Sequence, residues 1–294
     1  MKRALAALGL ACAAAHALAG SLPPRGCDRR VDVSAAQQDR LLRFAAAVRS
    51  ALATAGTPAA LIARSGTDLS RFELRYSHAA IALAEGLDSP WAVRQLYYDC
   101  TEQQPRLFDQ GLAGFIVGSD DPTVGYIRLL LPPPDAAAAL AGAALDRPLA
   151  LGLLNARYSA NAYPFSTTYQ NCNQWVAELM AAAVAGTRTR EDAQAWLRGA
   201  GYAPQAVHAS PWLMLAGRFV PWLHFHDHPE ALLNAGQVQT SLPDSLEAFA
   251  LQRWPTARRI ELCHGPQGIV QREGGAALAD GCAPAPGDRV TTWH

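Results

Sequence analysis

The chain has 294 residues, half of them hydrophobic, with 25 basic and 25 acidic side chains. That length can bury the core of one large domain, or of one domain with an appendage. A balanced charge without a basic run argues against nucleic acid and acidic membrane surfaces as partners.

Met1-Lys2-Arg3 is followed by an apolar run from Ala4 to Ala19 that ends Ala17-Leu18-Ala19 before Gly20. A basic start, a short apolar core and a small-x-small end predict a secretory signal peptide over residues 1–19, too short to span a membrane. Only Ala4–Ala11 precedes Cys12, which argues against a lipoprotein site there. No later segment reads as a membrane span, so the expected location is periplasmic or secreted. Lys2 is the only lysine, and removal of the signal leaves 23 basic residues against 25 acids. Five cysteines then remain, Cys27, Cys100, Cys172, Cys263 and Cys282, an odd count for an oxidising compartment.

Beyond an irregular stretch, Ser34 caps a predicted helix that runs to about Ala55, with Leu41, Leu42, Phe44, Ala45 and Val48 as its apolar face and Gly56-Thr57-Pro58 as its stop. Strands are expected at Leu61–Arg64, Arg75–Leu83, Trp91–Tyr98 and Val124–Leu131. His78 shares a face of its strand with Ala80 and Ala82, small side chains expected to receive the helix that presents Cys172. Gln95 alternates onto one face with Trp91, Val93 and Tyr97. An alanine-rich helix over Asp135–Leu145 follows Pro132-Pro133-Pro134, and Asn155–Thr168 reads as irregular.

Asn171 is a good N-cap, and Gln174 three places on makes a capping-box-like pair. From Cys172, one stripe at helical spacing takes in Trp175, Val176, Leu179 and Met180. Cys172 thus lies in the first turn, where free N–H groups and the helix dipole favour a thiolate. The plain alternative is a buried structural cysteine. Gly186 ends this helix, and another runs from Thr189 to about Arg198. After residue 202 the texture changes. Pro211–Asp227 holds four aromatics besides its histidines; Asp244–Trp254 is a short helix, and Arg258–Cys263 with Gly268–Arg272 a terminal hairpin. The expected division is 20–202 as the main domain and 203–294 as an extension packed on it. Cys263 and Cys282 bracket the glycine-rich hairpin and are expected to pair, with Cys27 tied to Cys100. Cys172 is then left free, although spacing alone does not prove the pairing.

Two stretches carry a resemblance. Tyr76-Ser77-His78-Ala79-Ala80-Ile81-Ala82-Leu83 resembles the Ser-His-x-Gly-Ile-x-Leu strand of papain-fold NlpC-type hydrolases. Asn171-Cys172-Asn173-Gln174-Trp175-Val176-Ala177-Glu178 is similar to the Asn-Cys-x-x-Phe-Val helix of their circularly permuted branch, the lecithin–retinol acyltransferase-like enzymes. The resemblance spans about Ala60 to Ala185 and departs at Ala79 and Ala80. It implies an α+β, permuted papain-like fold, a small antiparallel sheet packed against the helix that carries the cysteine. It also implies a nucleophile at Cys172, a general base at His78 and an orienting residue at Gln95, where family members often have histidine. The whole chain also resembles an uncharacterised family of predicted periplasmic bacterial proteins. Asn171, with the N–H of Cys172, stands where an oxyanion would be held.

The expected activity is an exported thiol hydrolase that needs no cofactor and cleaves amide bonds in peptides or cell-wall fragments. Lipid acyl chains are the second choice, and a catalytically silent binding module is the competing class. His264 and His208 are fallback bases. His224-Phe225-His226-Asp227-His228 is read as a satisfied cluster in preference to a metal site, because its spacing lacks further ligands. Asp120 and Asp121 are read as a solvated turn and not as a glycosidase pair. No metal is expected.

Overall fold

The computed structural model describes residues 33–99, 101–117 and 121–293. The expected signal peptide, Cys27 and Cys100 lie outside them, and so does the expected Cys27–Cys100 bridge.

Ser34 caps helix α1 (Ala35–Ala55) with a reciprocal Gln37 bond, and Gly56 closes it in the left-handed conformation that glycine adopts without strain. Strands β1 (Ala59–Arg64), β2 (His78–Leu83), β3 (Ala92–Asp99) and β4 (Gln104–Gly111) form a meander, and helix α2 (Leu112–Val117) follows. After β5 (Gly125–Leu131) come α3 (Pro134–Leu145) and α4 (Arg147–Gly152). Next are the cysteine helix α5 (Cys172–Ala185) and α6 (Arg190–Gly199). Strand β6 (Gln205–His208) pairs with β7 (Gln237–Thr240), with α7 (Pro211–Gly217) and α8 (Glu230–Asn234) between them. Helix α9 (Pro243–Arg253) leads to β8 (Arg258–Gly265), β9 (Gly268–Glu273) and β10 (Arg289–Thr292).

The fold is α+β. Its main sheet has eight antiparallel strands in the order β10-β9-β8-β5-β1-β2-β3-β4. It is larger than the small sheet expected, because β8 pairs along the whole of β5 and brings β9 and β10 with it, while β4 forms the far edge. Residues 203–294 therefore supply three of the eight strands. Cys263 on β8 is bonded to Cys282, with Cα atoms 5.7 Å apart, as expected.

Alternation along the strands assigns the two faces. Ala79, Ile81 and Leu83 share an apolar layer with Trp175, Val176, Leu179 and Met180 of α5 and with Leu140 of α3. Ala80, Ala82 and Val93 share the opposite layer with Leu41, Phe44, Val48 and Leu52 of α1 and Phe115 of α2. This corrects one expectation. The small-residue face of Ala80 and Ala82 receives α1 and α2, whereas the cysteine helix packs on the Ala79 and Ile81 face. The stripe of α5 was read correctly: Trp175, Val176, Leu179 and Met180 are all fully buried.

Candidate active site

The start of α5 is fixed by three side chains. Asn171 caps it, its Oδ1 accepting from Gln174 N–H at 2.7 Å. The Nδ2 of Asn171 donates to Ala160 O, Thr240 Oγ1 and Ser241 O at 2.9–3.1 Å. The expected capping box is only half formed, since the Gln174 amide turns instead to Pro164 O and Glu178. Asn173 clamps β2 on both sides of His78: its Oδ1 accepts from Ala79 N–H at 2.8 Å, and its Nδ2 donates to Ser77 O at 3.1 Å. Its Nδ2 also reaches Ser241 O. The backbone around His78 is thereby held against the residue next to Cys172.

Cys172 is the free cysteine among the described residues and is 8 % exposed. The N–H groups of Asn173, Cys172 and Ala79 and the charge of Arg64 all favour its thiolate, as the helix start suggested. Burial opposes them and prevails, pushing the thiol up to about 11. The expectation of a thiol more acidic than a free cysteine is thus corrected: sequence shows a helix start but not how dry it is.

His78 is part-buried at the first position of β2. Its Nε2 lies 2.5 Å from Gln95 Oε1, so the ring donates there and leaves Nδ1 as the acceptor. Burial, then the Arg64 charge, bring its pKa down to about 3, with the Gln95 bond opposing. Arg64 stands directly across from His78 in the β1–β2 register. Both side chains pack on Phe115, the guanidinium 5.4 Å and the imidazole 5.8 Å from its ring centre. His78 and Gln95 are thus brought together. Among the described residues no hydrogen bond joins His78 to Cys172, whose packing partners lie on the other face.

Tyr158 completes the surroundings. It bridges to Gln170 beside the helix start and stacks on Tyr98, with ring centres 4.8 Å apart. Burial raises its pKa well above the usual value, and the nearby Cys172, Tyr98 and Tyr97 add to that. Sequence reasoning missed Arg64, Phe115, Tyr158 and Asn173. Arg64 was readable once a Leu61–Arg64 strand was paired with the His78 strand. Asn173 sits inside the Asn-Cys-Asn motif, but nothing local says which backbone it grips.

The fallback bases lie elsewhere. His264 is buried against Phe44, 4.8 Å between ring centres, and burial takes its pKa down to about 4. His208 is exposed on β6. The histidine cluster divides in two, His224 and His226 around Tyr169 and His228 apart from them. His224 stacks on Tyr169, His226 Nε2 meets Tyr169 Oη at 2.8 Å, and His228 lies between Asp227 and Gln239 O. No group of three or more His, Cys, Asp or Glu among the described residues is placed to hold a metal ion.

Comparison with protein families matches residues 51–250 to "Uncharacterized protein conserved in bacteria (DUF2145)", and the chain belongs to that family. No curated protein matches the chain. No solved structure matches it either. No helix among the described residues is long and apolar enough to cross a membrane. The Cys263–Cys282 bridge is consistent with a compartment outside the cytoplasm.

Proposed function

We propose that the chain is a periplasmic thiol hydrolase of permuted papain-like type, acting on amide bonds of peptides or cell-wall fragments. The observation that carries this reading is the Asn173 clamp, which holds the backbone on both sides of His78 against the helix start that bears the free thiol. In the reaction Cys172 Sγ adds to the substrate carbonyl carbon while its proton passes to His78 Nδ1. The Cys172 backbone N–H supports the oxyanion. Collapse expels the amine, which leaves with the proton from His78, and a thioester remains. Water attacks the thioester, its proton returning through His78, and the acid and the thiol are released. In the resting protein Gln95 holds the ring by its Nε2–H on the Phe115 side of β2, and the ring turns off this bond toward Cys172 when substrate is bound.

Burial favours the neutral forms of both groups, a thiol near 11 and an imidazole near 3. The thiol therefore loses its proton as the new bond forms, not beforehand, and His78 must close on Cys172 once substrate is bound. The same facts favour the second reading, a silent module that binds a peptide or a partner protein. The two separate on incubation with an activated acyl ester and with short cell-wall peptides, followed by intact mass. A thioester on Cys172 that is lost in Cys172→Ala and slowed in His78→Gln supports the hydrolase. Tight peptide binding with no acylation, equal in both variants, sinks it.

A further inference from the structure

The segment from Pro211 to Trp222 stands out for what it exposes. Helix α7 and the turn after it present Trp212 at 80 % and Phe219 at 83 % exposure, with Leu215 at 47 %. No other large apolar side chain among the described residues exceeds half exposure. Large aromatics left in water mark a surface that meets something.

The charge of the segment says what. From Ala193 through His226 the sequence has no acidic residue, while Arg198 and Arg218 fall within it. Arg218 is exposed beside Phe219. The first acid after this stretch, Asp227, is spent inward: its side chain is fully buried, with Oδ1 on His228 and Oδ2 accepting from Tyr163 N–H at 2.8 Å. The balanced charge of the whole chain argues against acidic membrane surfaces, and this segment departs from it: its acid-free sequence and exposed Trp, Phe, Leu and Arg suit a membrane–water boundary.

The patch also has a firm base. Trp222 O accepts from Ala160 N–H at 2.8 Å, His224 N–H donates to Ser159 Oγ at 3.0 Å, and Asn161 Nδ2 donates to His224 O at 2.8 Å. Its footing is therefore the loop that carries Tyr158 and delivers Cys172.

We propose that Trp212, Leu215 and Phe219, with Arg218 between them, form a docking surface for a lipid membrane bearing anionic headgroups, on which the protein lies without spanning it. This does not depend on the activity proposed above. The test is flotation of the full chain with vesicles of phosphatidylglycerol and phosphatidylcholine in equal parts, and with phosphatidylcholine alone. The expected result is binding to the anionic vesicles that weakens with salt and falls about tenfold or more in Trp212→Ser/Phe219→Ser. Arg218→Gln should lose most of the salt dependence while keeping some binding. Unchanged thermal unfolding of the variants, expected for side chains this exposed, keeps the comparison clean. The proposal is overturned if wild type and double variant float equally or not at all. It is equally overturned if sedimentation shows self-association that the double variant abolishes, which would give the surface to a second copy, or if the patch binds only a protein partner.

Discussion

Helix α5 carries two buried ionisable groups less than two turns apart, and the protein treats them in opposite ways. Glu178 is fully buried, and four side chains answer it: Arg190 by Nε at 3.0 Å and by Nη2, and the amides of Gln170, Gln174 and Gln194. Burial raises its pKa, but Arg190 and the amides oppose the shift. Arg190 then bonds Thr167 O and Tyr169 O, so the network ties the preceding loop to the helix. Cys172 has no such set of partners. Only N–H groups and the more distant Arg64 charge favour its ionised form, and burial outweighs them. His78 is held by one amide while burial and Arg64 both oppose its charged form. A polar group answered on every side holds structure together. A thiol and an imidazole left short of partners, the proposed nucleophile and base, are groups whose preferred state a substrate can still change.

The comparison breaks hardest at Glu178. Glu178→Leu leaves Arg190 as a buried, unpaired cation and should cost about 3–5 kcal/mol in urea unfolding. Glu178→Gln should cost less, because it keeps part of the hydrogen bonding. If Glu178→Leu is neutral, the network is not structural in the sense argued. Next in size is the clamp. Asn173→Ala removes acceptors and donors from Ala79, Ser77 and Ser241 and should cost about 1–3 kcal/mol. It should also slow alkylation or acylation of Cys172 more than Asn173→Ala costs stability elsewhere in the site. Unchanged thiol reactivity in a folded Asn173→Ala protein would separate the clamp from function.

Much of this was legible in the chain. The α5 stripe, its Asn171 cap and Gly186 stop and the hairpin of β8 and β9 all follow from local pattern, whereas the Cys263–Cys282 pair follows from the cysteine count only once Cys172 is set aside. The placing of Gln95 beside His78 follows instead from the family resemblance, which puts the orienting residue on the strand after the histidine strand, and the two side chains do meet. What failed is long-range. Leu42 alternates with apolar neighbours yet is 49 % exposed, because α1 lies on a single sheet face. Strand β4 reads Gln-Pro-Arg-Leu-Phe-Asp-Gln-Gly, polar with a proline, and only an edge position beside β3 makes it a strand. The face that α5 would choose was misjudged because small residues mark room, not the element that fills it. The acidity of Cys172 was misjudged because desolvation depends on everything packed around the helix start, most of it distant in sequence.

The two pKa shifts sharpen the comparison from opposite ends of the pH scale. For His78 the folded value, near 3, lies below the unfolded value of 6.5. As pH falls below 6.5 the unfolded chain takes up a proton that the folded ring refuses, so stability present above that pH is lost. His264, also depressed, adds to the same acid limb. His78→Gln should therefore lose less stability than wild type between pH 7 and pH 5, by about 1–2 kcal/mol once partial exposure of the ring is allowed for. Parallel curves for the two proteins would mean that His78 is more hydrated than its packing on Phe115 implies.

Cys172 gives the smallest effect and the most direct reading of the site. Its thiol ionises near 9 in the unfolded chain and near 11 in the folded one. Between those values the unfolded chain loses a proton that the folded chain keeps, so the stability contributed below pH 9 drains away as pH rises. At pH 10 the loss should be about 1 kcal/mol relative to Cys172→Ala, read as a difference in slope against pH so that the cavity left by alanine cancels. Iodoacetamide should report the same shift kinetically, with alkylation of Cys172 still accelerating at pH 10 where a free cysteine would have levelled off. Glu178 supplies the control, since Glu178→Gln should leave that alkylation profile where it is. Should alkylation level off near pH 7 instead, the thiol is already ionised in the resting protein. Cys172 and His78 would then form a closed ion pair before any substrate arrives, and the contrast with Glu178 would disappear.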